Sequence, residues 1–354
     1  MGTLVRACPY HTMFPLEFPL GALSGARPGD WVLDPFCGRG TTLFAARLLG
    51  LPSVGVDISP VAVGISRGVL ASARPDEVVD LAGRLLAREA GDPPGGPFWE
   101  LAYHAETLRQ IFRLRAGLLG ASGDIADILR LLVLGRLHGP VRRVPTYLSN
   151  QMPRTFAPKP DYAVRFWARL GLRPPRVDVL GVIAAVADRY LQTLPPRLDG
   201  TAVLGDARTF DFRAVGGPYR FVVTSPPYPG MRTYVPDQWL RGWFVGGPPR
   251  PVYAYAGQLA ARDLDRYEAD LSAVWANVAR ACLPGARLVV RFGAKSGAEL
   301  AAFVRSLEKS PFRVRQVVPA GNAGAGRRQA RQFGNRVEAT PGPPAEFDFT
   351  AELT

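Results

Sequence analysis

Two short stretches of this chain carry residues whose types and spacing can do chemistry. The first is Asp34-Pro35-Phe36-Cys37-Gly38-Arg39-Gly40-Thr41-Thr42. Gly38 and Gly40 let backbone approach a ligand closely, in conformations that other residues resist. The start of the helix expected next offers unpaired N–H groups to an anion or a carboxylate. No Gly-Lys-Ser/Thr follows, so this is not a P-loop. Asp57 closes the next apolar run, Ser53-Val54-Gly55-Val56, where a carboxylate can accept both hydroxyls of a ribose. A nucleoside cofactor of either the nicotinamide or the adenosylmethionine type fits that pair. The second stretch is Thr224-Ser225-Pro226-Pro227-Tyr228, directly after the apolar run Phe221-Val222-Val223. Two consecutive prolines remove two N–H donors and stiffen the chain. They hold the carbonyls of Ser225 and Pro226 as fixed acceptors, and Tyr228 offers a flat face. That combination suits a planar base bearing an amino group and taken out of its helix.

Together these residues resemble the DNA amino-methyltransferases, the family that makes N4-methylcytosine and N6-methyladenine. The stretch from Asp34 to Thr41 looks like that family's cofactor loop, and Asp34, Phe36, Gly38, Gly40 and Thr41 are its candidate contacts. Ser225-Pro226-Pro227-Tyr228 looks like the catalytic motif in its N4-cytosine form, since adenine enzymes more often carry Asp or Asn in place of Ser225. His11-Thr12-Met13-Phe14-Pro15 resembles the segment around the methionine portion of the cofactor, which nominates His11, Thr12, Phe14 and Pro15. Asp57 matches the ribose-binding acid and Asp206 the acid near the adenine. The resemblance implies a doubly wound, mostly parallel, seven-stranded Rossmann-like α/β sheet with S-adenosylmethionine as cofactor. It also implies site-specific methylation of a flipped-out base in double-stranded DNA, in the setting of restriction-modification.

The implied chemistry needs no cysteine nucleophile. A cytosine amino group is a poor nucleophile because its lone pair is delocalised into the ring. Acceptors at the Ser225 hydroxyl and the Pro226 carbonyl would hold its two N–H bonds and aim the nitrogen at the sulfonium methyl. Cys37 then reads as a small packing residue of the loop. A guanine-N2 RNA methyltransferase also uses a Pro-Pro-Tyr type motif, usually after Asp or Asn and often behind an RNA-binding module. This chain starts almost at the cofactor segment. A DNA-binding protein on a decayed methyltransferase fold is disfavoured by the intact Gly38, Gly40, Asp57 and Ser225–Tyr228 set.

The elements that must position these residues are legible in outline. Trp31-Val32-Leu33 reads as a strand, Leu43 to Leu49 as a helix and Ser53 to Val56 as a second strand, the first half of a doubly wound sheet. Apolar residues recur at helical spacing in 78–90, 99–119 and 124–138, with further helix near 163–170 and 178–193. Strands resume at 202–204, 221–223, 287–292 and 312–318, with helices at 264–282 and 298–308. The expected organisation is a cofactor-binding core in 1–72 and 200–320, interrupted by a helical target-recognition insertion at 73–199. A basic, then Pro-rich and poorly ordered tail completes it at 321–354. This order departs from many N4-cytosine enzymes, in which the catalytic motif precedes the cofactor loop.

Composition agrees with a polyanionic partner. The 354 residues carry a net charge of +13, which suits phosphate neutralisation. Nearly all of that charge is Arg, a pattern that a GC-rich genome also produces. Arg232, Arg241, Arg327, Arg328 and Arg331 are candidate phosphate contacts, and Asn150-Gln151 are chemically suited to adenine edges. Trp239 and Trp243 could wall a base pocket, or simply build core. Cys8, Cys37 and Cys282 lack metal or disulfide spacing, and His11, His104 and His138 are scattered, so no metal site is expected. With no signal or membrane-spanning segment, the expected location is cytoplasmic and nucleoid-associated. A companion restriction nuclease, and a monomer or a homodimer, are all compatible with this.

Overall fold

In the computed structural model, residues 4–10, 14–140, 146–152, 159–229, 235–260, 263–322 and 345–354 are described. Helix α1 (Glu17–Ala22) leads to β1 (Trp31–Asp34), α2 (Thr41–Leu48), β2 (Ser53–Asp57) and α3 (Pro60–Leu70). Six helices follow before the sheet resumes. They are α4 (Pro75–Leu86), α5 (Pro97–Ala102), α6 (Ala105–Leu119), α7 (Asp124–Arg136), α8 (Pro160–Arg169) and α9 (Val179–Leu191). Then come β3 (Gly200–Leu204), β4 (Tyr219–Thr224), α10 (Trp239–Phe244) and α11 (Leu264–Arg280). The chain closes with β5 (Cys282–Ala294), α12 (Gly297–Glu308), β6 (Phe312–Asn322) and β7 (Ala345–Leu353).

The seven strands form one sheet in the order β3-β2-β1-β4-β5-β7-β6. The pairs from β3 to β5 are parallel, and β7 runs antiparallel to both of its neighbours. The fold is therefore the expected doubly wound α/β sheet. Its central strands are continuous apolar runs because both faces are covered. Val54, Val222, Leu288 and Val290 pack on Tyr267, Leu271 and Trp275 of α11. Val32, Phe221 and Val223 pack on the other side with Phe18, Ala45 and Ala46.

The helical block shares a core with the sheet's own helices. Leu129, Leu132 and Val133 of α7 lie in one apolar cluster with Val61, Ile65 and Val69 of α3 and with Trp239 and Trp243. Buried Arg47 of α2 ties the block down where it leaves the sheet and where it returns. Its guanidinium donates to the Val69 and Ala71 carbonyls and the Ser72 hydroxyl, and to the carbonyls of Pro195 and Pro196. The helical period over 99–119 conceals a break. Tyr103 is extended and His104 caps α6, its Nδ1 accepting the Glu106 N–H at 3.2 Å.

The stretch beyond 338, expected as a poorly ordered tail, is corrected by the structure. Residues 345–353 form β7, inserted between β5 and β6. Phe347, Phe349, Ala351 and Leu353 alternate toward the core. The acidic residues between them face arginines on the neighbouring strands: Asp348 receives Arg291 at 2.7 Å and Glu352 receives Arg315 at 3.1 Å. The acidity that reads as tail is cross-strand pairing. No helix among the described residues is long and apolar enough to cross a membrane.

Candidate active site

The order in which strands are added reverses between the parallel neighbours β1 and β4, since β2 and β3 lie on one side and β5 on the other. A doubly wound sheet opens a crevice at the carboxyl ends of the strands at that point. Both chemistry-bearing stretches emerge there, one from β1 and one from β4. Asp34 ends β1 and is buried; its Oδ1 accepts the Thr224 hydroxyl at 2.6 Å and the Phe36 N–H at 3.1 Å. The Thr42 hydroxyl donates to the Val223 carbonyl at 3.2 Å. These two bonds fasten the cofactor-type loop to the strand that carries the Ser-Pro-Pro-Tyr motif. The second Asp34 oxygen, Oδ2, is buried with no hydrogen-bond partner among the described residues. Burial pushes the Asp34 carboxyl up to about 6, against the opposing hydrogen bond from Thr224.

The loop is shaped by two glycines with positive φ, Gly38 at 51° and Gly40 at 78°. At Gly40 a Cβ would also sit 2.9 Å from the Ser66 hydroxyl and 3.2 Å from the Ser66 Cα, so a side chain would push α3 away. The N-terminus of α2 carries no side-chain cap. Asp57 closes the loop from β2, its carboxylate accepting the Gly38 N–H at 2.9 Å and the Ser59 N–H at 2.8 Å. A carboxylate has about four acceptor positions, so these two bonds leave capacity for a diol. Tyr10 and Tyr255 stand beside Asp57 and Ser59. Burial lifts both phenols above their ordinary range, and the Asp57 charge adds to the effect.

Asp206, just past β3, lies at the same sheet edge but is already engaged. Its carboxylate takes the Arg208 Nη2 at 2.6 Å and the Arg208 Nε at 3.0 Å, and Arg208 also reaches Asp270 at 2.6 Å. The hydrogen bond from Arg208 holds the Asp206 carboxyl below its usual range. The loop after α10 passes over this edge. A Cβ at Gly257 would lie 3.0 Å from Asp206 Oδ2 and 3.4 Å from Ile58. Phe36 packs edge-on against Trp275, with centroids 6.5 Å apart. Phe14 packs on Phe18 of α1 at 5.1 Å, and the Pro15 carbonyl accepts the Phe18 N–H, which ties both to the first helix. His11 and Thr12 lie outside the described residues.

The Ser-Pro-Pro-Tyr motif is clamped from three elements, α11, β5 and β7, through residues that the sequence did not single out. Tyr267 of α11 donates its hydroxyl to the Pro227 carbonyl at 2.7 Å. The half-buried Tyr228 ring meets Phe292 edge-on at 5.4 Å and lies flat enough on β5 that a Cβ at Gly293 would be 2.5 Å from its Cε2. The Ser225 hydroxyl donates to Tyr228 Oη at 3.3 Å, and Tyr228 Oη donates to Glu346 Oε1 at 3.2 Å.

Other sequence candidates have structural duties. Arg241 is buried and donates to the Leu134 and Pro9 carbonyls and to Gln238, which corrects its reading as a phosphate contact. Asn150 and Gln151, the candidates for adenine edges, are buried too and engaged with the backbone. Asn150 Oδ1 accepts the Thr146 and Tyr147 N–H groups at 2.9 and 3.0 Å, and Gln151 donates to the Leu101 carbonyl. Trp239 and Trp243 are core residues. Cys37 is buried in the loop, and burial holds its thiol well above its usual range, unsuited to nucleophilic attack. Arg232, Arg327, Arg328 and Arg331 lie outside the described residues. No cluster among the described residues could hold a metal ion.

Residues 9–67 match the family model of DNA methylases. A 37-residue stretch is 51% identical to the type II methyltransferase M.BsoBI of Geobacillus stearothermophilus, covering 10% of this chain and 7% of that one. The match thus spans less than a tenth of that relative's length. Among solved structures, TrmN of Thermus thermophilus aligns at 11% identity and a TM-score of 0.39, over 99% of this chain and 52% of that chain. The rRNA methyltransferase aviRa of Streptomyces viridochromogenes aligns at 11% identity and a TM-score of 0.36, over 100% of this chain and 90% of that one.

Proposed function

We propose that this chain is an S-adenosylmethionine-dependent methyltransferase acting on the exocyclic amino nitrogen of a base in double-stranded DNA. The finer target is N4 of a flipped-out cytosine. The observation that carries the reading is the 2.6 Å bond between Thr224 and Asp34. It joins the glycine loop and the Ser-Pro-Pro-Tyr motif edge to edge at the switch point, as transfer between a cofactor and a base requires. The match of residues 9–67 to DNA methylases supports the cofactor half of the site. The net charge of +13 supports a polyanionic partner.

The residues present fit the cofactor. The unmet Asp34 Oδ2 is an acceptor suited to an ammonium group, and the uncapped start of α2 suits a carboxylate. The spare acceptor capacity of Asp57 suits a ribose diol. Asp206 has its charge neutralised by Arg208, so it offers an adenine an ordered edge in place of a free anion. When bound, S-adenosylmethionine supplies the methyl group from its sulfonium. The chain's part is positioning. Ser225 Oγ and the Pro226 carbonyl accept the two amino hydrogens and bend the nitrogen away from ring conjugation, while Tyr228 supports the base plane. The Arg-rich stretch holding Arg327, Arg328 and Arg331, with Arg232, supplies phosphate contacts.

The Ser225 head of the motif supports N4-cytosine over N6-adenine. Transfer of a labelled methyl group from S-adenosylmethionine into duplex DNA, set beside transfer into ribosomal and transfer RNA, tests the reading. Label in DNA alone is expected; label confined to RNA overturns it.

A further inference from the structure

Within the methyl-transfer reading, on which this rests, we infer that Glu346 on the last strand is a positioning residue for the reaction. It fixes the direction of the hydrogen bonds that run through Tyr228 to Ser225. Glu346 is buried, and β7 sets it opposite Gly293 of β5, the residue against which the Tyr228 ring lies. The carboxylate can only accept, so it draws the Tyr228 proton toward itself across 3.2 Å. Tyr228 Oη is thereby left to accept the Ser225 proton across 3.3 Å. With its own proton committed to Tyr228, Ser225 Oγ faces a bound amino group with lone pairs only.

That direction matters because both Ser and Tyr hydroxyls rotate freely between donor and acceptor roles. Without the carboxylate, Tyr228 could donate to Ser225. Ser225 would then turn its own O–H toward the substrate nitrogen and tie up the lone pair that must attack. Hydrogen bonds to ionised groups are also stronger and polarise the chain behind them. The nitrogen sheds a proton once methylated, and the same chain gives that proton a path. The amino proton passes to Ser225 Oγ, the Ser225 proton to Tyr228 Oη and the Tyr228 proton to the Glu346 carboxylate. The product is then a neutral secondary amine, Ser225 and Tyr228 are unchanged and Glu346 is protonated.

The test compares wild type, E346Q, Y228F and the double variant in steady-state methylation of duplex DNA from a host without methylation, with thermal melts beside each. E346Q should lower kcat about tenfold or more while the KM values for DNA and cofactor stay within about twofold, as when a charge-assisted hydrogen bond acting in the transition state is lost. Y228F should lose about as much, and E346Q added to Y228F should change kcat by less than about twofold, because the hydroxyl that transmits the effect is gone. Equal E346Q losses in both backgrounds, or an unchanged kcat in folded E346Q, would overturn the inference. Full activity in Y228F overturns it too, and that variant leaves the strand untouched should E346Q fold poorly. A wild type that methylates no DNA refutes the reading of the site itself. An active wild type with an indifferent E346Q refutes Glu346 alone.

Discussion

The carboxyl edge of the sheet and the interior of the helical block both hold polar side chains in buried settings, but they treat them differently. In the block and at its margins, several buried polar groups are engaged with the backbone, although Arg136 Nε, Ser149 Oγ and Gln238 Nε2 lack a hydrogen-bond partner among the described residues. Asn150 braces the turn at 146–147, Gln151 reaches the Leu101 carbonyl, and Arg47 and Arg241 each bind several carbonyls. At the sheet edge, Asp34 Oδ2 has no partner among the described residues, α2 has no side-chain cap, and Asp57 keeps acceptor capacity. Buried polar groups are normally paired because leaving them unpaired costs about 1–3 kcal/mol. What sets Asp34 apart is that its unmet oxygen sits at the carboxyl end of β1, beside the uncapped start of α2, where a ligand can meet both. Residue type alone nominates Asn150 and Asp34 equally; satisfaction separates them.

The largest effect is expected at Tyr228. Tyr228→Ala removes the support for the base plane and the link to Glu346. Stacking is worth about 1–3 kcal/mol per base and misalignment adds to it, so turnover should fall by about 100-fold or more. Cofactor affinity, read by calorimetry, should stay nearly intact. A folded Tyr228→Ala protein with full turnover would remove the base site from the account.

Asp57→Ala comes next. Loss of a charge-assisted acceptor should cost about 1.5–3 kcal/mol of cofactor binding. Because the Gly38 and Ser59 amides lose their acceptor as well, the melting temperature should drop alongside. Unchanged affinity would show that Asp57 only closes the loop.

On the other side of the comparison, Asn150→Ala should destabilise the fold by about 1–3 kcal/mol. Turnover per folded molecule should remain as in wild type. A selective loss of DNA affinity without a stability change would restore its base-reading role.

The smallest effect is a pH dependence. The raised Asp34 carboxyl, at about 6, is neutral below that pH and cannot pair with an ammonium group. Cofactor affinity should therefore be full above about pH 6 and weaken as pH falls through it, and Asp34→Asn should flatten that profile. Stability responds in the opposite sense. Between its ordinary 3.8 and about 6 this carboxyl holds more proton in the folded state, so its contribution to stability falls as pH rises through that window. A cofactor affinity that ignores pH in wild type would detach Asp34 from the ligand.

The parts of this site that were legible in the sequence are the local ones. A glycine loop after an apolar run, an acid closing the next run and a Pro-Pro-Tyr after a third each report their geometry within about ten residues. The doubly wound order followed from them. What stayed hidden depends on partners remote in the chain. Glu346 lies 118 residues beyond Tyr228, and β7 reads as an acidic tail until Arg291 and Arg315 are seen opposite its carboxylates. The engagement of Asp206 by Arg208 is close in sequence, yet only the side-chain geometry distinguishes it from a free acid.

Methyl transfer to an exocyclic amino group in DNA leaves its record in the modified nucleoside. The chain is expressed in a host lacking DNA methylation, the DNA is digested to nucleosides and the products are identified by mass spectrometry. N4-methylcytosine is expected, and it should be absent when Tyr228→Ala replaces the wild type. N6-methyladenine would keep the reaction and change the base, whereas DNA with no methylated amino group would contradict the account.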